Sequence, residues 1–130
     1  MVCPSLNGDP IDVGVHYIAG SANGQGDHVE HLIEAGVEII QPVQTNATDM
    51  GDLHRLKREF GDRVVFHGAA DNQGKFHKTP EIIEADVKEK MEALKPGGGY
   101  IFSSCHNIQS NCPPENIIAL FDAAKKYGRY

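Results

Sequence analysis

The sequence has no cluster of basic residues. No run of Lys or Arg is longer than two, and 12 basic residues face 18 acidic ones, for a formal net charge of -6 and a pI of about 5.6. Nucleic acid is therefore not an expected partner, since it selects a basic face. Long apolar runs are also missing: the longest are four or five residues, against the ~20 of a membrane helix. No membrane partner is expected, and no signal peptide is visible. Cysteine is scarce and unpatterned. Cys3, Cys105 and Cys112 are odd in number and lack CxxC spacing, so no disulfide framework is implied. A reduced, cytoplasmic protein is the expected class. Low-complexity segments are absent, and nothing linker-like follows about residue 27. The 130 residues suffice for one domain with a real core.

Histidine is abundant, with seven copies. His28, His31 and His54 fall on expected helix surfaces, and His77 falls in a polar loop. His16, His67 and His106 lie in or beside expected strands.

The order of local signals is regular. "VGVHYIAG" (13–20) reads as a strand and "SANGQG" as a glycine-rich loop. Asp27 is a good N-cap for a helix with Val29, Leu32 and Ile33 on one face, stopped by Gly36. "VEIIQPV" (37–43) reads as a strand broken by Pro42. Thr48 or Asp49 is expected to open a helix with Leu53, Leu56 and Phe60 inward. "RVVFHGAA" (63–70) is the next strand. Thr79-Pro80 starts a helix as N-cap and N1. Ile83, Val87, Met91 and Leu94 mark its buried stripe, and its glutamate-rich remainder reads as a solvated face with pairs such as Glu84–Lys88. "YIFSS" is the fourth strand. "NCPPENIIALFDAAKKYG" closes the chain as a helix with Ile117, Leu120, Phe121 and Ala124 inward.

Four strands alternating with helices predict an α/β fold with four parallel βα units. The longer, polar βα loops (20–27, 43–49, 70–79, 104–113) then gather at the strand C-termini, the edge that carries ligands in such folds. The segments "QPVQ", "HGAADNQ" and "SSCH" all sit there. Cys105 and His106 therefore have two readings: chemistry at a strand tip, or a packed turn cysteine beside a helix-capping histidine. The first is preferred for His106 and the second for Cys105. His67 either faces the pocket or packs beside Phe66, and packing is preferred. Gln41 and Gln44 either bond a ligand or serve the loop. Gly24 and Gly26 form too short a motif for a nucleotide fingerprint.

"LIEAGVEIIQPVQ", "LKREFGDRVVFHGAADNQ", "ALKPGGGYIFSSCHNIQ" and "PPENIIALFDAAKKYG" together resemble the C-terminal half of the uroporphyrinogen decarboxylase superfamily, over roughly residues 28 to 128. Its members are (β/α)8 barrels and include heme-pathway decarboxylases and corrinoid-linked, zinc-dependent methyltransferases. The resemblance implies a half-barrel, residues 1–130 as a single domain, with residues 1–15 an atypical N-terminal segment. The family's N-terminal half, with its Arg-containing loop and catalytic carboxylate, is not matched.

The resemblance carries over to single residues. His106 falls where the decarboxylases have the pocket histidine of a Gly-His-Gly-Ile turn, and a metal-ligating cysteine occupies that turn in the methyltransferases. The methyltransferases' His-x-Cys pair falls at His16 or Tyr17 and Ala19, and alanine cannot bind zinc. Asp71 and Gln73 match a pocket-lining "DTQ"-like loop. Strand-tip position together with the resemblance gives a catalytic His106 and a substrate pocket of Gln41, Gln44, His67, Asp71, Gln73 and Cys105. The resemblance implies no cofactor and no bound metal, with His16, Cys105 and His106 the weak zinc candidates. The expected function is a partial uroporphyrinogen decarboxylase-like protein acting on a tetrapyrrole. The alternatives are a zinc/corrinoid methyltransferase-like protein and a non-catalytic binding remnant. A homodimer or a complementing half-barrel chain is expected, because strand residues Val15, Ile39, Ile40, Val64, Val65, Ile101 and Phe102 exceed what four helices on one side can cover.

Overall fold

A computed structural model describes residues 17–19, 27–46 and 50–129. Strands and helices alternate: β1 (Tyr17–Ala19), α1 (Asp27–Glu34), β2 (Ile39–Val43), α2 (Leu53–Phe60), β3 (Val65–Ala70), α3 (Pro80–Leu94), β4 (Tyr100–Ser104) and α4 (Pro114–Tyr127). The strands form one parallel sheet in the order β1-β2-β3-β4. This is the expected α/β arrangement of four βα units, consistent with half of a (β/α) barrel.

Strand alternation divides the sheet into two faces. Ile40, Phe66 and Tyr100 are paired across β2, β3 and β4 and belong to the main core cluster, with Leu56, Ile83, Val87, Leu94 and Leu120 of the helices. The next register, Ile39 beside Val65 and His67 beside Ile101, lies on the opposite face. Ile39, Ile40, Val64 and Val65 are nonetheless all buried, and Ile101 and Phe102 are half-buried. The expected surplus of bare strand surface is therefore smaller than the sequence suggests. Val15 lies outside the described residues.

Several local expectations are corrected. Helix α2 is capped by Asp52, whose Oδ1 accepts the Arg55 N–H at 2.9 Å, and not by Thr48 or Asp49. Pro42 lies within β2, and the pairing with β3 absorbs it as an irregularity between Ile40 and Val43. Proline has no N–H for the ladder, so a bulge is its natural place. Phe121 is 53% exposed rather than inward, because the core side of α4 is taken by Asn116, Leu120 and Ala123. Glu84 does not pair with Lys88. It accepts from Lys126 Nζ at 2.7 Å and Tyr127 Oη at 2.8 Å on α4, while Lys88 reaches Glu92. The stripe Ile83, Val87, Met91 and Leu94 is buried as expected, but Asp86 and Lys90 are buried with it.

The C-terminal end of β3 is conformationally special. Gly68 has φ of +113° and Ala69 follows at +71°. A Cβ on Gly68 would stand 3.3 Å from the Val43 backbone nitrogen, in a conformation L-residues rarely adopt. Ala69 pays for its own positive φ with steric strain. The turn is held by the Tyr100 hydroxyl, which donates to the Gly68 carbonyl at 2.9 Å.

Candidate functional site

Three strand tips and the loops that follow them enclose a pocket of about 550 Å³. The β2 end contributes Gln41, Pro42 and Gln44. From β3 and its loop come His67, Asn72 and Gln73. From β4 and its loop come Ser103, Ser104, Cys105, His106 and Asn107. His67 and Ser103 reach it because they lie on the sheet face opposite Phe66 and Tyr100, two registers apart along adjacent strands.

Six of the seven residues singled out from the sequence therefore share this cavity: Gln41, Gln44, His67, Gln73, Cys105 and His106. Asp71 does not line it. Its Oδ1 accepts the N–H groups of Gln73 (3.1 Å) and Gly74 (2.8 Å), so its carboxylate shapes the turn that delivers Asn72 and Gln73. A Cβ at Gly74 would collide with that carboxylate. Asn72, Ser103, Ser104 and Asn107 were not singled out. The available signal was positional: each follows or ends a strand in "HGAADNQ" or "SSCHN".

Among the described residues the lining contains no Asp, Glu, Lys or Arg. Its chemistry is that of side-chain amides, hydroxyls, one thiol and two imidazoles. Amides, hydroxyls and imidazoles offer both hydrogen-bond donors and acceptors. Burial pushes the His67 pKa down, which favours the neutral ring. His106 is exposed at the pocket mouth.

Cys105 is held in place rather than activated. Its Sγ donates to the Val43 carbonyl at 3.0 Å, and its backbone N–H donates to the Ala70 carbonyl at 3.2 Å. Burial pushes the thiol pKa up to about 11. A thiol so protonated is a poor nucleophile. Among the described residues no three His, Cys, Asp or Glu side chains are grouped to hold a metal ion. Zinc does not fit this donor set, which has one Cys and two His in the pocket and a thiol committed to a carbonyl. His16 lies outside the described residues.

Loops are joined across the pocket. Asn46 Nδ2 donates to Gln73 Oε1 at 2.8 Å, linking the loops after β2 and β3. The Cys105 thiol joins the loop after β4 to the end of β2.

The family model for uroporphyrinogen decarboxylase matches residues 13–127. The chain belongs to the uroporphyrinogen decarboxylase family. Its relatives in that family include the uroporphyrinogen decarboxylase of Vesicomyosocius okutanii, 29% identical over 109 residues, covering 84% of this chain and 30% of the relative. The enzyme of Hamiltonella defensa is 31% identical over 107 residues, covering 82% and 28%. That of Nitrosomonas europaea is 32% identical over 100 residues, covering 77% and 26%. The chain thus spans less than a third of the length of these family members. They carry no support for the corrinoid methyltransferase reading. No helix among the described residues is long and apolar enough to cross a membrane.

Proposed function

We propose that this chain is a partial uroporphyrinogen decarboxylase-like protein whose pocket binds a tetrapyrrole, with His106 orienting a substrate carboxylate. The observation that carries the reading is the gathering of Gln41, Gln44, His67, Gln73, Cys105 and His106 around one cavity at the strand C-termini of a family member. Decarboxylation in this family needs no added cofactor. It needs polar groups that hold the macrocycle and stabilise charge as it develops. The amides and hydroxyls serve the first task. An imidazole N–H at the mouth serves as hydrogen-bond donor to a carboxylate. Titration of uroporphyrin fluorescence tests this. His106→Ala is expected to weaken binding about tenfold, the factor for one charge-assisted hydrogen bond. His54→Ala, on the exposed side of α2, is expected to bind as the parent does. Equal affinities for all three proteins would remove His106 from the site.

The same reading includes assembly with a second copy or a complementing half-barrel chain. Among the described residues β4 ends the sheet order. α4 exposes the apolar side chains Ile118 (63% exposed) and Phe121 (53% exposed) next to the Asp122–Lys125 ion pair. An unpaired strand edge beside exposed apolar side chains favours association. Light scattering is expected to give a mass above 14.2 kDa, reduced by Phe121→Glu. A stable monomer at micromolar concentration would reject this part.

A further inference from the structure

The "PPENI" segment is among the most specific stretches of the sequence, yet none of its residues lines the pocket. Its asparagine, Asn116, is 1% exposed at the start of α4. An asparagine there would ordinarily serve its own helix. This start has little to cap, because Pro113 and Pro114 carry no N–H and no side-chain cap is formed. The amide of Asn116 turns outward instead. Its Nδ2 donates to two carbonyls of the β3–α3 loop, Phe76 at 2.9 Å and Lys78 at 2.7 Å. Both donor hydrogens are therefore used on backbone that has left the sheet.

The loop between those carbonyls and the pocket is a chain of turns. Asp71 Oδ1 accepts from Gln73 and Gly74, the Lys75 N–H donates to the Asp71 carbonyl, and the Lys78 N–H donates to the Lys75 carbonyl. Phe76 is buried in the core. Asp86 on α3 faces Lys75 Nζ at 3.3 Å and Lys90 Nζ at 3.2 Å, and its Oδ2 receives the Asp71 N–H at a long 3.4 Å. A displacement at Phe76 or Lys78 has little room to relax before it reaches Asn72 and Gln73. The arrangement also has a cost: Asn116 Oδ1 is buried with no hydrogen-bond partner among the described residues. An apolar side chain of similar size would avoid that burial.

We infer that Asn116 is a positioning residue for the pocket, clamping the β3–α3 loop to the start of α4 and so fixing Asn72 and Gln73 relative to the segment that bears Cys105 and His106. This rests on the reading of the cavity as a ligand site. Removing the two donors takes away one of the three side-chain anchors of that wall, beside Asp86 and Asn46, while leaving the opposite wall in place.

The test compares Asn116→Leu, which keeps the branched side-chain outline but loses both donors, with Leu120→Ala, which removes apolar packing from the same helix. Two readouts are taken: amide hydrogen exchange and affinity for uroporphyrin, each under conditions where all variants are folded. For Asn116→Leu, exchange in residues 71–78 is expected to rise about tenfold and affinity to fall about tenfold, the factor for roughly one net hydrogen bond. For Leu120→Ala, exchange is expected to rise along α4 with affinity unchanged. Parent-like exchange in residues 71–78 of Asn116→Leu overturns the proposal. So does an affinity loss that merely matches that of Leu120→Ala. If the parent itself does not bind uroporphyrin, the ligand reading of the site fails, and the exchange pattern alone decides whether Asn116 clamps the loop. Should Asn116→Leu not fold, Asn116→Ser, with one shorter donor, is judged by the same two readouts.

Discussion

The loop after β3 and the loop after β4 both line the pocket, but they are held by different means. Residues 71–79 are anchored by side chains from elsewhere: Asp86 of α3, Asn116 of α4 and Asn46 of the loop after β2. Residues 105–113 are tied by their own junctions. The Cys105 N–H and thiol bond to Ala70 and Val43, the Cys112 N–H donates to the Gln109 carbonyl, and Gln109 Nε2 donates to the Asn107 carbonyl. The first loop is a wall set by tertiary contacts. The second is tied to β2 and β3 at its start through Cys105 and is otherwise a short local structure that leaves His106 and Asn107 exposed. A preorganised wall facing accessible polar side chains supports the binding role proposed above.

Breaking the wall is expected to give the largest effect. Asp86→Ala removes a carboxylate that is 2% exposed and leaves Lys90, 5% exposed, with Glu89 at 3.4 Å as its remaining ion-pair partner. A buried pair broken on one side costs about 3 kcal/mol or more. Urea unfolding measures this, and a loss under about 1 kcal/mol would show that the cluster is not a buried anchor. The contrast with the second loop is direct, since His106→Ala is expected to change binding with little change in stability, its side chain being exposed.

An intermediate effect is expected at the hinge of the second loop. The folded state raises the Cys105 pKa to about 11 from 9.0. The thiol is therefore protonated in the native protein at pH values where the unfolded chain already carries thiolate. Between those two values the unfolded state binds fewer protons, so this contribution to stability is complete below about 9 and is lost as pH rises toward 11. Alkylation of Cys105 by iodoacetamide at pH 8, followed by peptide mass, is expected to be much slower in the native protein than in urea. Equal rates would mean that neither burial nor the Val43 carbonyl protects the thiol.

The smallest effect is expected at His67, on the strand that feeds the wall. Burial lowers its pKa below the ordinary 6.5. As pH falls through 6.5 the unfolded histidine takes up a proton that the folded one resists, so stability declines on the acid side. The decline from pH 7.5 to 5.5 is expected to be shallower in His67→Gln. An identical decline in both proteins would assign it to other groups.

The βα order was legible because each helix carries an apolar stripe at helical spacing, and because Gly36 and Gly61 interrupt the pattern where helices end. The strand-tip position of Gln41, Gln44, His67, Gln73, Cys105 and His106 followed from that order alone. The start of α2 was misplaced because Thr48, Asp49 and Asp52 are all competent caps, and only the bond from Arg55 N–H to Asp52 Oδ1 distinguishes them. Phe121 reads as inward because hydrophobicity does not report which side of α4 faces the core. Asp86 and Lys90 read as part of a solvated face for the converse reason: charge does not reveal burial when the partner charge sits one turn away on the same helix.

The sequence by itself determined the alternation of strands and helices and the edge at which polar loops collect, because those depend on periodicity and turn residues within short windows. Only the tertiary structure decided that Asp71 turns a loop instead of lining the pocket, that the Cys105 thiol is spent on the Val43 carbonyl, and that Asn116 reaches back to Phe76 and Lys78. For Cys105 and Asn116 the partners are backbone carbonyls 38 to 62 residues away. Every residue type carries such a carbonyl, so no local pattern can mark the one that will be met.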